Sequence, residues 1–233
     1  MLNLVLRIRR SGGWADFQVT LPEDAYLLDG LETAARQDPT LLFRHACHHA
    51  SCGSCGLRVN GRERLACITP VKELAETGAP IRLEPLRNFT VLGDLLVDLG
   101  SLYRALDRVD LPPIRSDPVR NPPILPSGEM TEDLRFEDCI ECGLCVSACP
   151  IAATDPEFLG PAGLAACARL VAEPRGRPLQ QIPRLADWAH GLWRCHQALE
   201  CSQVCPSHVD PASAILRLRR AIIFHPGEFR KPS

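Results

Sequence analysis

The sequence predicts an α+β chain in two parts: a mixed sheet-and-helix half over residues 1–110 and an all-α half over residues 130–233. Three observations predict this. Runs of period-two alternation are confined to the first half, whereas apolar residues in the second recur at helical spacing. Between the halves, residues 111–129 (LPPIRSDPVRNPPILPSGE) hold six prolines, which exclude a helix interior or a central strand. Finally, the twelve cysteines divide four and eight on either side of this connector.

In the first half, residues 2–10 and 14–21 alternate on either side of Ser-Gly-Gly, a hairpin signal. Residues 25–37 carry apolar residues at helical spacing. LRVNGRERLACI contains Asn60-Gly61 between two alternating runs, a pair suited to the positive φ angles of a two-residue type I′ turn. IRLEPL is a further strand, and residues 90–109 are expected to form one amphipathic helix. Such an order of elements suggests a small mixed sheet packed on a helix, as in a plant-type ferredoxin (a β-grasp fold). In the second half, helices are expected over 131–138, 161–173, 183–193 and 210–224, punctuated by Cys149-Pro150 and Cys205-Pro206.

Composition narrows the chemistry. A formal net charge of −2 gives no global field for attracting nucleic acid. No apolar run approaches the ~18 residues of a membrane-spanning helix, and the N-terminus reads as a strand with no secretory leader. A soluble intracellular protein is the expectation. In that setting disulfides are rare, so clustered cysteines point to metal.

Cys47-x4-Cys52-x2-Cys55, followed after eleven residues by Cys67, has the plant-type [2Fe–2S] spacing. Gly53 and Gly56 are expected to let the backbone approach the cluster. Zinc also takes four cysteines, but its motifs usually pair two short knuckles, whereas Cys67 stands alone in a hairpin strand. Cys47-His48-His49 invites a Rieske reading, but the residue three after Cys55 is Arg58, so the second Cys-x2-His is missing. His45, His48 and His49 are then loop residues near the cluster that can tune its potential.

Cys139-x2-Cys142-x2-Cys145-x3-Cys149-Pro150 matches the bacterial ferredoxin run, whose fourth cysteine serves a different cluster. Its partner is Cys195-x5-Cys201-x3-Cys205-Pro206. Crossover assigns Cys139, Cys142, Cys145 and Cys205 to a [4Fe–4S] cluster and leaves Cys149, Cys195 and Cys201 for another. A full repeat would place a cysteine at position 198, where Ala198 stands. A site with three thiolates tends to lose one iron, giving [3Fe–4S]. Cys167 is spare and, in the apolar run AGLAACARL, reads as a small buried hydrophobe.

Over nearly its whole length the chain resembles the iron–sulfur subunits of succinate:quinone oxidoreductases and quinol:fumarate reductases. The resemblance is carried by FRHACHHASCGSCGLRVNGRERLAC, EPLRNFTVLGDLLVD, CIECGLCVSACP with DPEFLGPAGL, and LWRCHQALECSQVCPSHVDPASAI. It implies an electron wire with no carbon chemistry of its own. A separate flavoprotein subunit interconverts succinate and fumarate on covalent FAD, a reaction of the tricarboxylic acid cycle and respiratory chain. Electrons then pass through [2Fe–2S], [4Fe–4S] and [3Fe–4S] to a quinone at a membrane anchor, which in the family can carry haem b. The first domain would dock on the flavoprotein and the second on the anchor, at the cytoplasmic face of the bacterial inner membrane.

By the same resemblance the quinone pocket lies near Cys149, Pro150 and Cys201, with His196 and Ala198 on its edge. Ubiquinone-type members usually carry a tryptophan four residues after the first of these cysteines. Ala153 stands there, which favours menaquinone or an altered site. Arg217, Arg219 and Arg220, on the last helix, suit either lipid headgroups or the solvated face of an ordinary closing helix. Two other classes compete with this reading. The cluster subunit of another reductase would add cysteine-rich modules that these 233 residues lack, and a zinc-stabilised interaction protein would hold zinc in place of iron.

Overall fold

The structure, a computed structural model, describes residues 1–109, 136–172 and 189–224. The connector 111–129 and most of the helices expected over 131–138 and 183–193 lie outside the described residues. Contacts divide the chain into two compact units. One holds Met1–Leu99 and Ile140–Ala148; the other holds Gly100–Cys139 and Cys149–Ser233.

The first unit is built on a five-stranded sheet. Strands β1 (Leu2–Arg10) and β2 (Gly13–Leu21) form the expected antiparallel hairpin, with Leu6 opposite Phe17. Alternation sends Leu4, Leu6 and Ile8 inward from β1 and Phe17, Val19 and Leu21 inward from β2. Helix α1 (Leu27–Gln37) buries Leu27, Leu28, Leu31 and Ala34 against this face. Its N-terminus is capped by the Asp29 carboxylate, which accepts the Tyr26 N–H at 2.8 Å. Gly30 lets the helix approach closely, since a Cβ there would stand 3.2 Å from side chains of both Leu6 and Leu21.

Strands β3 (Gly56–Val59) and β4 (Arg62–Leu65) follow the cysteine loop and pair antiparallel. Their turn has φ of 49° at Asn60 and 87° at Gly61, both left-handed as the sequence requires. A 3-10 turn (Ala66–Ile68) and a short helix, α2 (Val71–Ala75), lead to β5 (Ile81–Glu84). Strand β5 lies parallel to β1 and antiparallel to β3, giving the order β2-β1-β5-β3-β4.

The single helix expected over 90–109 is replaced by two structures. Residues 90–98 form a small hairpin, β6 (Thr90–Gly93) and β7 (Leu96–Asp98), and the helix α3 runs only over Gly100–Val109. The reason is local: Asp94-Leu95 makes a two-residue turn with Asp94 at φ 43°, and the flanking Thr-Val and Val residues favour strand. Buried Asp94 then fixes the hairpin by accepting N–H groups of Ser11 at 3.1 Å and Leu42 at 2.9 Å, with Arg10 Nε at 3.0 Å.

Short helix α4 (Leu144–Ala148) completes the first unit. It is joined to the β3–β4 hairpin through buried Glu63, which accepts the Ser147 hydroxyl at 2.8 Å. Asn88 donates its side-chain amide to the Val146 carbonyl at 2.7 Å.

Among its described residues the second unit is all helical. Helix α5 (Gly160–Ala172) is buried on every described side from Gly160 to Leu170 and packs against α3 and α7 (Pro211–Phe224). Its Cys167 is fully buried, and burial pushes the thiol up to about 12, which suits a packed hydrophobe. Helix α6 (Glu200–Gln203) packs on α7. No described helix is long and apolar enough to cross a membrane.

Candidate functional site

None of the twelve cysteines is in a disulfide. In the first unit, the loop that follows α1 carries Cys47, Cys52 and Cys55, and the 3-10 turn after β4 carries Cys67. Left-handed residues at His48, Ala50 and Gly53 (φ 62°, 59° and 68°) curl the loop so that its N–H groups face inward. Cys47 Sγ accepts N–H groups of Ser51 at 3.2 Å, Cys52 at 3.3 Å and His49 at 3.5 Å. Cys67 Sγ accepts that of Ala50 at 3.3 Å. The four thiols thus meet in two pairs: Cys47 interacts with the Cys52 side chain and Cys55 with that of Cys67.

Electrostatics separates the two pairs. The His49 N–H, with those of Ser51 and Cys52, holds the Cys47 thiol down to about 7. Burial, reinforced by the neighbouring Cys67 thiol, pushes Cys55 up to about 12. Cys55 and Cys67 are buried, while Cys52 is exposed, so the loop has a dry inner side and a wet rim. Converging sulfurs cradled by backbone donors fit a thiolate-bound iron–sulfur cluster, whose sulfurs need such hydrogen bonds.

Approach to a cluster alone does not account for the loop glycines. A Cβ on Gly53 would come within 2.7 Å of the Ile140 carbonyl oxygen and 2.8 Å of Cys142 Cβ, and one on Gly56 within 3.1 Å of Leu144 Cδ2. Their missing side chains admit the Ile140–Leu144 segment against the loop. Nor do the histidines face the thiols as a set. His49 Nδ1 contacts the Cys47 carbonyl oxygen, whereas His45 and His48 turn towards Glu32 on α1.

In the second unit, Cys195 acts on Cys149, and both act on Cys201. Burial first, then the Cys149 and Cys195 thiols, push Cys201 up to about 12; burial and Cys195 raise Cys149. Cys195 follows a 3-10 turn (Leu192–Arg194) and opens a loop with left-handed residues at Gln197 and Leu199 (φ 58° and 63°). The Gln197 N–H reaches Cys195 Sγ at 3.4 Å. Arg219, half-buried on α7, donates to the carbonyl oxygens of Leu192 (3.0 Å) and Cys195 and stacks over Trp193, so it anchors this loop. Pro150, His196 and Ala198 are all exposed. Of the remaining cysteines, Cys142 and Cys145 belong to the first unit, and Cys139 and Cys205 to the second.

Residues 5–104 match a family model described as a 2Fe-2S iron-sulfur cluster binding domain, and residues 135–209 match a 4Fe-4S dicluster domain. The chain is 37% identical, over 90% of its length and 85% of the relative's, to a fumarate reductase iron-sulfur subunit of Mycobacterium tuberculosis. The chain belongs to the iron–sulfur subunits of fumarate reductases and succinate dehydrogenases. A second fumarate reductase iron-sulfur subunit, from Haemophilus influenzae, is 34% identical over 85% of this chain and 82% of its own. A succinate dehydrogenase iron-sulfur subunit from Coxiella burnetii is 29% identical over 89% and 88%. Among solved structures, a chain of the Mycobacterium smegmatis Sdh1 complex in the apo form superposes with a TM-score of 0.76 at 27% identity, covering 95% of this chain and 96% of its own. An iron–sulfur subunit therefore accounts for both the sheet unit and the helical unit. The sequence singles out neither Glu63 nor Ser147, which brace α4, and it turns Arg219 towards lipid or solvent, whereas the structure sets it on the loop of Cys195. Only their neighbours in space mark them.

Proposed function

We propose that this subunit carries electrons between a flavoprotein partner, which interconverts succinate and fumarate on covalent FAD, and a quinone at a membrane anchor. When bound, [2Fe–2S], [4Fe–4S] and [3Fe–4S] clusters supply one-electron carriers whose potentials follow cluster type, charge and hydrogen bonding. Cys47, Cys52, Cys55 and Cys67 hold the first, with the His49, Ala50, Ser51 and Cys52 N–H groups stabilising thiolate charge. Cys139, Cys142, Cys145 and Cys205 hold the second, an assignment that rests on their spacing.

Cys149, Cys195 and Cys201 hold the third, and this set carries the reading. The effect of Cys195 on Cys149, and of both on Cys201, within one compact unit supports a shared site, and Ala198 supplies no fourth thiolate. Exposed Pro150, His196 and Ala198 give that site an open edge for quinone, with Ala153 in the place of the ubiquinone-type tryptophan favouring menaquinone. Residues 1–110 form the flavoprotein-facing domain and 130–233 the anchor-facing one, so the subunit sits peripherally on the cytoplasmic face of the bacterial inner membrane. The same residues serve succinate oxidation and fumarate reduction.

Metal analysis and EPR on the complex purified anaerobically test this reading. About nine irons per chain are expected, with a [3Fe–4S] signal in the oxidised state. Zinc in place of iron, without visible charge-transfer absorption, overturns the cluster assignment; a diamagnetic third site overturns the three-iron assignment.

A further inference from the structure

We propose that Glu32, His45 and His48 form a binding site for one divalent ion of the zinc class, built outside the cysteine sites and joining α1 to the cysteine loop. The three ligand atoms make a nearly equilateral triangle. Glu32 Oε1 stands 3.6 Å from His45 Nδ1 and 3.4 Å from His48 Nε2, and the two ring nitrogens are 3.2 Å apart. The two ring nitrogens are within hydrogen-bond reach of one another, but both carboxylate contacts exceed the ~2.7–3.2 Å of a good hydrogen bond. A hydrogen bond therefore accounts for one edge of the triangle and does not account for the other two.

Coordination does. Ligands about 2.0–2.1 Å from a tetrahedral zinc lie about 3.3–3.4 Å from one another, and the triangle's three edges bracket that spacing. An octahedral ion at the same bond length would bring neighbouring ligands to about 2.9 Å, and magnesium and calcium prefer all-oxygen sets. Two imidazoles and one carboxylate are a borderline-soft set that suits zinc. Three protein ligands leave the fourth tetrahedral position open to water.

The surroundings are organised for this geometry. His45 lies flat against Phe43, with ring centroids 5.1 Å apart and an interplanar angle of 19°, which restrains the ring. His48, at the left-handed φ of 62° that curls the cysteine loop, reaches Glu32 from it. Glu32 is half-buried while both histidines are exposed, so an ion can enter from solvent. The nearest rival cation is Arg36, whose guanidinium is 3.9 Å from the other carboxylate oxygen and leaves Oε1 to the histidines. A bound ion would tie the segment that contains Cys47 to a helix of the sheet unit.

The site uses no cysteine, so its fate is separable from that of the cluster assignment. The test uses the anaerobically purified, iron-loaded complex, stripped of loose metal with a chelator, titrated with zinc chloride and desalted. One zinc per chain is expected in addition to an unchanged iron content. The zinc-edge absorption spectrum should show nitrogen and oxygen at about 2.0–2.1 Å and no sulfur shell at about 2.3 Å. Glu32→Gln, on a helix outside the cysteine loop, should weaken zinc binding at least tenfold with iron retained, and His48→Gln should do the same. No retained zinc, a sulfur shell, or wild-type zinc affinity in both variants overturns the proposal.

Discussion

At Gly53 a methyl group has no room. The backbone is left-handed at φ 68°, and the added carbon would meet the Ile140 carbonyl oxygen at 2.7 Å, a rigid backbone atom. Gly53→Ala therefore carries two penalties, of which the strained dihedral alone costs about 1–3 kcal/mol. Gly56→Ala carries a lesser one, because no positive φ is required and its methyl meets Leu144 Cδ2 at 3.1 Å and the Cys142 carbonyl oxygen at 3.2 Å, neither as close as the 2.7 Å at Gly53. In anaerobic thermal melts Gly53→Ala is expected to lower the midpoint by about 5 °C or more, and Gly56→Ala by clearly less. Equal losses would mean that the close approach of Ile140–Leu144 is not what constrains Gly53. Both glycines stand out in the sequence as part of SCGSCG, but the reason for them does not. The motif suggests a backbone closing on a cluster, whereas the contact that forbids a side chain comes from a segment nearly ninety residues later.

Elements of the second unit depend on a similar long-range tie. Asp155, buried before α5, accepts His190 Nδ1 at 2.8 Å and Arg194 Nε at 3.2 Å, while the Leu159 N–H reaches the His190 carbonyl at 2.9 Å. The segment entering α5 is thereby fastened to the turn that precedes Cys195. Burial pushes the Asp155 carboxyl up, but the bonds from His190, the Glu157 backbone and Arg194 together hold it below the usual carboxylate value. A depressed folded value means stability that is present at neutral pH and lost as pH falls through that value. Asp155→Asn is thus expected to cost about 1 kcal/mol at pH 7. The gap in midpoint from wild type should hold from pH 7 to 5 and close only below about pH 4. A gap that closes between pH 7 and 5 would assign the effect to another group. At this scale the sequence was readable where local rules decide. The Asn60-Gly61 turn, the β1–β2 hairpin, and helices α5 and α7 follow from turn chemistry and periodicity. The β6–β7 hairpin was not readable, because a short apolar run fits helix and strand alike until Asp94-Leu95 turns it. The membership of Ile140–Ala148 in the first unit rests on Glu63–Ser147 and on the glycine gap, neither of which has a local signature.

For the molecule as a whole, the cysteine pattern was legible because ligand chemistry constrains spacing more tightly than packing constrains apolar residues. The meeting of Glu32 with His45 and His48 was not legible, since it joins a helix to a loop through no recurring interval. The most telling position at this scale is one where a ligand is missing. Ala198 is exposed, three residues after Cys195, in the loop whose backbone Gln197 and Leu199 turn left-handed and which Arg219 anchors through the Cys195 carbonyl. A cysteine there would complete the Cys-x2-Cys interval of a ferredoxin repeat without entering the buried core. Ala198→Cys is therefore expected to raise iron from about nine to about ten per chain and to abolish the oxidised [3Fe–4S] EPR signal. On the reading proposed above, a four-iron site at the quinone end would have a lower potential, so electrons would favour the other clusters more strongly over it, and quinone reduction should slow while the flavoprotein's reaction with an artificial acceptor continues. The split between those two activities is the decisive readout. If the variant keeps the wild-type EPR signal and iron content, position 198 does not face the third site, and the assignment of Cys149, Cys195 and Cys201 to it must be redrawn.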